Sequence, residues 1–132
     1  MVRNGDGHLK NFGVLYRNAR DVRLSPLYDV VTTSIYRYSR YEEGPELEDR
    51  TLALRLFRKS RSKTYPLGDE LLHFGRSVCG VADPGKVTTR IAQAMHEVLA
   101  QAPTDGRIPG QTLEKMQVAW ETGMACQAQI KV

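Results

Sequence analysis

With 132 residues the chain has room for one domain with a real core and too little for two. Apolar residues at 41% and charged residues at 26% are ordinary for a globular protein, and no run approaches the roughly 18 apolar residues of a membrane span. The net charge of +4 gathers largely in Arg55, Arg58, Lys59, Arg61 and Lys63, and without interleaved aromatics that cluster reads as a solvated turn, with direct nucleic-acid binding unlikely.

The N-terminus carries no apolar stretch with a small-residue cleavage site, so no signal peptide is expected. Cys79 and Cys126 have no framework spacing and fall in helix-like segments. Two buried free thiols in a reducing cytoplasm are the expectation.

Residues 1–11 read as loop, since Gly and Asn favour turns. Phe12 to Tyr16 and Val22 to Leu24 read as short strands joined by the polar turn Arg17-Asn18-Ala19-Arg20-Asp21. Pro26 ends the second strand and leaves Tyr28 and Asp29 at its exit. Val30 to Ile35 fits a strand or a short helix. Residues 36–50 read as a polar surface loop, with Tyr36, Tyr38 and Tyr41 as half-buried packing residues rather than a docking surface. Leu52, Leu54 and Leu56 alternate with Ala53 and Arg55, the pattern of a half-buried strand.

From Leu67 the pattern turns helical. Leu67, Leu71, Leu72, Gly75, Val78 and Cys79 share a face, and Asp69 and Glu70 sit where the helix dipole favours acids. Gly80 fits a left-handed C-terminal cap. Asp83-Pro84 opens a second helix as N-cap and first-turn proline, with Val87, Ile91, Met95, Val98 and Leu99 expected inside. A loop from Ala102 to Gly110 precedes a third helix, whose inward residues are Leu113, Met116, Trp120 and Met124. The fold class is α+β, mostly α-helical, in a single domain over 1–132.

The chemistry concentrates in Asn4-Gly5-Asp6-Gly7-His8-Leu9-Lys10-Asn11-Phe12. Taken alone, these are turn formers, and an Asp with an Asn five residues later arises often by chance. A calcium loop fails, because placing Gly7 at the obligatory glycine puts Val2 and Gly13 at ligand positions. A zinc site is poor, because His8, His73 and His96 are far apart and neither cysteine has a ligand spacing; His73 and His96 are surface or packing residues. A phosphoryl-transfer site fits better. Protein kinases place a base Asp and a magnesium-binding Asn on one loop with four residues between them, and a second acid follows. Asp6 and Asn11 have that spacing, and Asp29 returns across the expected hairpin.

The loop, followed by Leu24-Ser25-Pro26-Leu27-Tyr28-Asp29, resembles the HipA family of bacterial serine/threonine kinases, the toxins of type II toxin–antitoxin systems. The similarity runs on through Leu52-Ala53-Leu54, Tyr65-Pro66 and the Leu71 to Gly80 helix, and implies a protein-kinase-like C-terminal lobe whose short β-hairpin carries the catalytic and metal-binding loops. It implies Asp6 as catalytic base and Asn11 and Asp29 as Mg2+ ligands, with His8 and Lys10 contacting phosphate or shaping the loop. It further implies ATP as phosphoryl donor, a protein serine or threonine as acceptor, a helix-turn-helix antitoxin as partner, and a cytoplasmic location. The usual Asp-Phe-Gly is here Tyr28-Asp29-Val30, which keeps the acid without the glycine. No glycine-rich loop, phosphate-pairing lysine or partner glutamate precedes Asp6. The ATP-binding N-lobe is therefore expected on a separate chain or lost by truncation, and the chain alone is expected to bind ATP–Mg2+ weakly and turn over negligibly. Two alternatives stand beside the kinase: a non-catalytic remnant or protein-binding module of the same fold, and a small-molecule phosphotransferase of the aminoglycoside or choline kinase kind. Asn4, where that last group usually has His, speaks against it.

Overall fold

The computed structural model describes residues 1–59 and 62–128. Its first regular element is a hairpin of strands β1 (Val14–Asn18) and β2 (Asp21–Leu24), antiparallel, with Val14 opposite Leu24 and Tyr16 opposite Val22. The turn is tighter than the sequence suggests. Asn18 Oδ1 accepts the backbone N–H groups of Arg20 and Asp21 at 2.9 and 3.1 Å, which replaces ladder bonds and lets the strands reach the turn itself. At the open end, Ser25 N–H donates to the Gly13 carbonyl at 2.9 Å, and a Cβ on Gly13 would lie 2.9 Å from Ser25 Oγ. Strands so close need a glycine there.

Val30 to Ile35 resolves into a 3-10 turn over Thr33–Ile35, with Thr32 and Ser34 buried. Within residues 36–50, expected as loop, two-residue strands β3 (Arg37–Tyr38) and β4 (Leu47–Glu48) pair antiparallel. Tyr36, Tyr38 and Tyr41 are exposed, which corrects the packing role expected for them. A two-strand ribbon has no second layer to stack against them. The strand expected over Leu52 to Leu56 does not form. Next to it lies a single bridge between Thr51 and Thr64, and Leu52 N–H donates to Lys63 O and Ala53 N–H to Gly5 O, without a continuous ladder among the described residues. Alternation of apolar side chains cannot make a strand without a neighbouring ladder.

Three helices follow: α1 (Gly68–Ser77), α2 (Pro84–Gln101) and α3 (Gly110–Ala128), each packing on the other two. Glu70 caps the start of α1 by accepting Leu67 N–H at 3.0 Å. Gly80, at φ +66°, reverses the chain after it, and Val81 N–H returns to the Gly75 carbonyl at 2.9 Å. Asp83 Oδ1 accepts Lys86 N–H at 2.9 Å, so Asp83-Pro84 opens α2 as its residue types require. A Cβ on Gly75 would lie 2.8 Å from the Pro84 Cβ, so this glycine sets how closely α1 approaches α2. Residues 102–104 make a further 3-10 turn before α3.

The helical faces match the expected ones on α3 and in part on α1 and α2, where Met95 and Leu99 are covered as expected. On α2 the covered stripe is Pro84, Thr88, Ala92, Met95 and Leu99, while Val87, Ile91 and Val98 are exposed. On α1, Leu67, Val78 and Cys79 are exposed, whereas Leu71, Leu72 and Gly75 are half-buried. On α3 the expected side faces inward, with Met124 buried and Leu113, Met116 and Trp120 half-buried. Both cysteines are free thiols, but Cys79 is exposed and Cys126 half-buried, so neither is the buried residue expected. His73 and His96 lie exposed on α1 and α2, and the His73 ring contacts Phe57 at 5.3 Å. Arg55, Arg58, Lys59 and Lys63 are exposed as expected, and Arg61 lies outside the described residues. Among the described residues no helix is long and apolar enough to cross a membrane.

Candidate functional site

The hairpin decides which polar groups meet. It leaves the N-terminal loop just after Asn11 and returns to it just before Tyr28, so the segments on its two open ends are forced side by side. Tyr28 OH donates to the Lys10 carbonyl at 2.7 Å and fastens them.

Between these ends, Asn11 Nδ2 donates to Asp29 Oδ2 at 2.6 Å, across 18 residues of sequence. Asn11 is only 8% exposed. Its other end is also engaged: Oδ1 accepts His8 N–H at 2.8 Å, while Asn11 N–H donates to His8 O at 3.0 Å, closing a 3-10 turn over Leu9–Asn11. The amide is thus held from both sides, which fixes its orientation. Asp29 is exposed and sits at φ +55°, a left-handed conformation that costs energy for a residue with a Cβ.

Asp6 joins this pair indirectly. Its N–H donates to Asn4 Oδ1 at 3.0 Å, and Asn4 Nδ2 donates to the Asp29 carbonyl at 3.4 Å. The Asp6 carboxylate is exposed and makes no hydrogen bond or ion pair among the described residues. His8 Nδ1 is buried without a hydrogen-bond partner among those residues. Lys10 is exposed, and it is its carbonyl that the fold engages.

The floor under the loop is built from residues the sequence did not single out. Gly5 N–H donates to Thr33 Oγ1 at 2.6 Å, and the Gly5 carbonyl accepts Ala53 N–H at 2.6 Å. A Cβ on Gly5 would lie 2.5 Å from the Thr51 carbonyl oxygen, so only glycine fits. The Arg3 carbonyl accepts Tyr65 OH at 2.9 Å, Thr33 Oγ1 at 3.3 Å and Ser34 N–H at 3.4 Å. Trp120 Nε1 on α3 donates to the buried Thr32 Oγ1 at 2.7 Å. A threonine pair after Asp29 and a lone tryptophan 88 residues later carry no local signal that they meet.

Chemically, the exposed Asp29 carboxylate offers hard oxygen donors, while Asn11 turns its Nδ2 to Asp29 and its Oδ1 to His8 N–H. Among the described residues no group of three or more His, Cys, Asp or Glu side chains converges as a metal cage.

The HipA-like C-terminal domain family matches residues 1–105, a span that takes in this loop, the hairpin, Asp29, α1 and α2 and stops short of α3. No curated protein and no solved structure gives a significant match to the chain. Covering well over half of the sequence, and the whole of the Asp6–Asn11–Asp29 constellation, the match makes the chain a member of the HipA-like C-terminal domain family.

Proposed function

We propose that the chain is the catalytic-loop-bearing part of a HipA-like protein serine/threonine kinase, the toxin of a toxin–antitoxin pair, acting on a protein hydroxyl with ATP as donor. The observation that supports this reading is the 2.6 Å bond between Asn11 and Asp29, which brings together across a hairpin the two residues that the family resemblance gives as metal ligands. The left-handed backbone of Asp29 supports it further, since strain of this kind concentrates at functional sites.

In this reading the Asp6 carboxylate accepts the proton of the attacking serine or threonine hydroxyl as its oxygen bonds to the γ-phosphorus and ADP leaves. Its exposure leaves it open to an incoming protein. Asn11 and Asp29 would hold Mg2+, which supplies charge neutralisation at the phosphates when bound. His8 and Lys10 would contact phosphate or shape the loop; the bonds of the His8 backbone to Asn11 and of the Lys10 carbonyl to Tyr28 favour the second. A helix-turn-helix antitoxin, a protein substrate and a nucleotide-binding segment are the partners this reading requires. A second reading, a protein-binding module without catalysis, is favoured by the exposed Leu15, Tyr16, Val22 and Leu24 of the hairpin.

Manganese, as a paramagnetic stand-in for magnesium, tests the metal assignment by NMR. Line broadening is expected to centre on Asn11 and Asp29, to vanish in Asp29→Ala and to persist in Asp6→Asn. In phosphotransfer assays with ATP on the kinase reconstituted with its nucleotide-binding segment, Asp6→Asn is expected to abolish transfer while leaving folding intact. Broadening indifferent to Asp29→Ala, or full transfer by Asp6→Asn, refutes the respective role.

A further inference from the structure

A cleft of about 540 Å³ lies between the β3–β4 ribbon, the Thr33–Ile35 turn and α3, and none of Asp6, Asn11 or Asp29 lines it. Its charges do not balance. Arg3, Arg37, Arg50 and Lys115 face only two carboxylates, Glu48 and Glu114, which leaves two positive charges on its walls. Glu48 is already claimed: its Oε2 accepts Arg50 Nη2 at 3.0 Å, Arg50 Nε at 3.1 Å and Arg37 Nη1 at 3.3 Å.

Arg3 is the most loosely paired of the three arginines. Its side chain is 13% exposed, its guanidinium lies 4.7 Å above the Tyr65 ring, and its nearest carboxylate oxygen, Glu48 Oε1, is 3.8 Å away. The guanidinium is thus only loosely paired, with no side-chain hydrogen bond to an acceptor among the described residues. In the same cleft Ser34, 5% exposed, has a buried hydroxyl with no hydrogen-bond partner among them. A buried hydroxyl without a partner is rare in folded proteins and calls for a ligand or water.

We infer that this cleft binds a phosphoryl group, taken as a phosphate monoester or as free phosphate. The physical case is one of complementarity. A phosphate monoester carries about two negative charges near neutral pH and offers three acceptor oxygens. That matches the two uncompensated positive charges, the planar fork of Arg3 and the Ser34 hydroxyl. The volume exceeds what a single anion fills, so a monoester brings its own substituent into the space beside Val118 and Thr122 of α3.

The test is an NMR titration of the chain at constant ionic strength with inorganic phosphate and, separately, with O-phosphoserine. Saturable shifts are expected at Ser34, Arg37 and Arg50. Ser34→Ala and Arg50→Gln each weaken binding about tenfold, as the loss of a charge-assisted or buried hydrogen bond does. Tighter binding of O-phosphoserine identifies a monoester as the ligand; equal or tighter binding of inorganic phosphate identifies the free ion. Shifts that never saturate, that sodium chloride reproduces, or that both variants leave unchanged overturn the site. Ser34→Ala removes one oxygen from a turn whose backbone bonds remain, so it keeps the test open should an arginine variant misfold.

Discussion

Asp29 at φ +55° and Arg3 at φ +55° flank the candidate loop on its two sides, both held where L-residues are unwelcome. For Asp29 the strain and the chemistry can be separated. Glycine takes this conformation freely and alanine does not, yet both remove the carboxylate. Asp29→Gly is therefore expected to be more stable than Asp29→Ala by about 1 kcal/mol in denaturant titration, while neither broadens with manganese. Equal stability of the two would mean that the left-handed backbone relaxes when the carboxylate leaves. At this scale the sequence was informative about Asp6, Asn11 and Asp29 because their types and spacing are unusual together. It was silent about Arg3 and Ser34, whose importance comes from partners they lack.

At the scale of elements, α3 lies beyond the residues matched by the family yet reaches back to the site. The Trp120 indole N–H donates to the buried Thr32 hydroxyl, three residues after Asp29. Trp120→Phe keeps the ring and strands that hydroxyl. It is expected to cost about 1–3 kcal/mol in thermal or chemical unfolding and to shift the amides from Asp29 to Thr33. Elements with punctuation were legible: the hairpin through its polar turn and Pro26, α1 through Gly80, α2 through Asp83-Pro84. The Leu52 to Leu56 strand was not, because periodicity reports what a strand would bury and says nothing of whether a partner ladder exists. The face of α2 was misplaced in part for a related reason. Val87, Ile91 and Val98 form as good an apolar stripe as the one covered, and only the neighbours α1 and α3 select between them.

Over the whole molecule, the accessible surface is 10,514 Å². Size scaling for a compact monomer of 14.9 kDa gives about 7,000 Å². Met95 and Met124 are the buried apolar core among the described residues, and large apolar side chains on the hairpin, on α2 and at Leu67 and Val78 beside the ends of α1 stay in water. Amphipathic patterns were read correctly as amphipathic; what covers them is a tertiary fact that no single segment encodes. With so thin a core, charge networks weigh more. Burial of Glu48 pushes its carboxyl pKa up, but hydrogen bonds and charge from Arg50, then Arg37 and Arg3, outweigh that and hold it below the ordinary 4.5. A depressed carboxyl contributes stability above its unfolded value and loses it as pH falls through the folded one. The stability advantage of the chain over Glu48→Gln is therefore expected at neutral pH and to shrink below about pH 4.5 in thermal unfolding across pH. A constant difference across that range would place the contribution of Glu48 outside its charge.

Arg3 belongs to both regions at once. Its carbonyl receives Tyr65, Thr33 and Ser34 beneath the loop, while its guanidinium stands in the charged cleft. One peptide unit thus works as a pivot with two arms. An anion that draws on the outer arm acts on the residue that props up Gly5 and Asp6, and thermodynamic linkage makes any such influence run equally in reverse. If the proposed cleft and loop both bind as inferred, occupancy of the one and the poise of the other would be two readings of a single equilibrium.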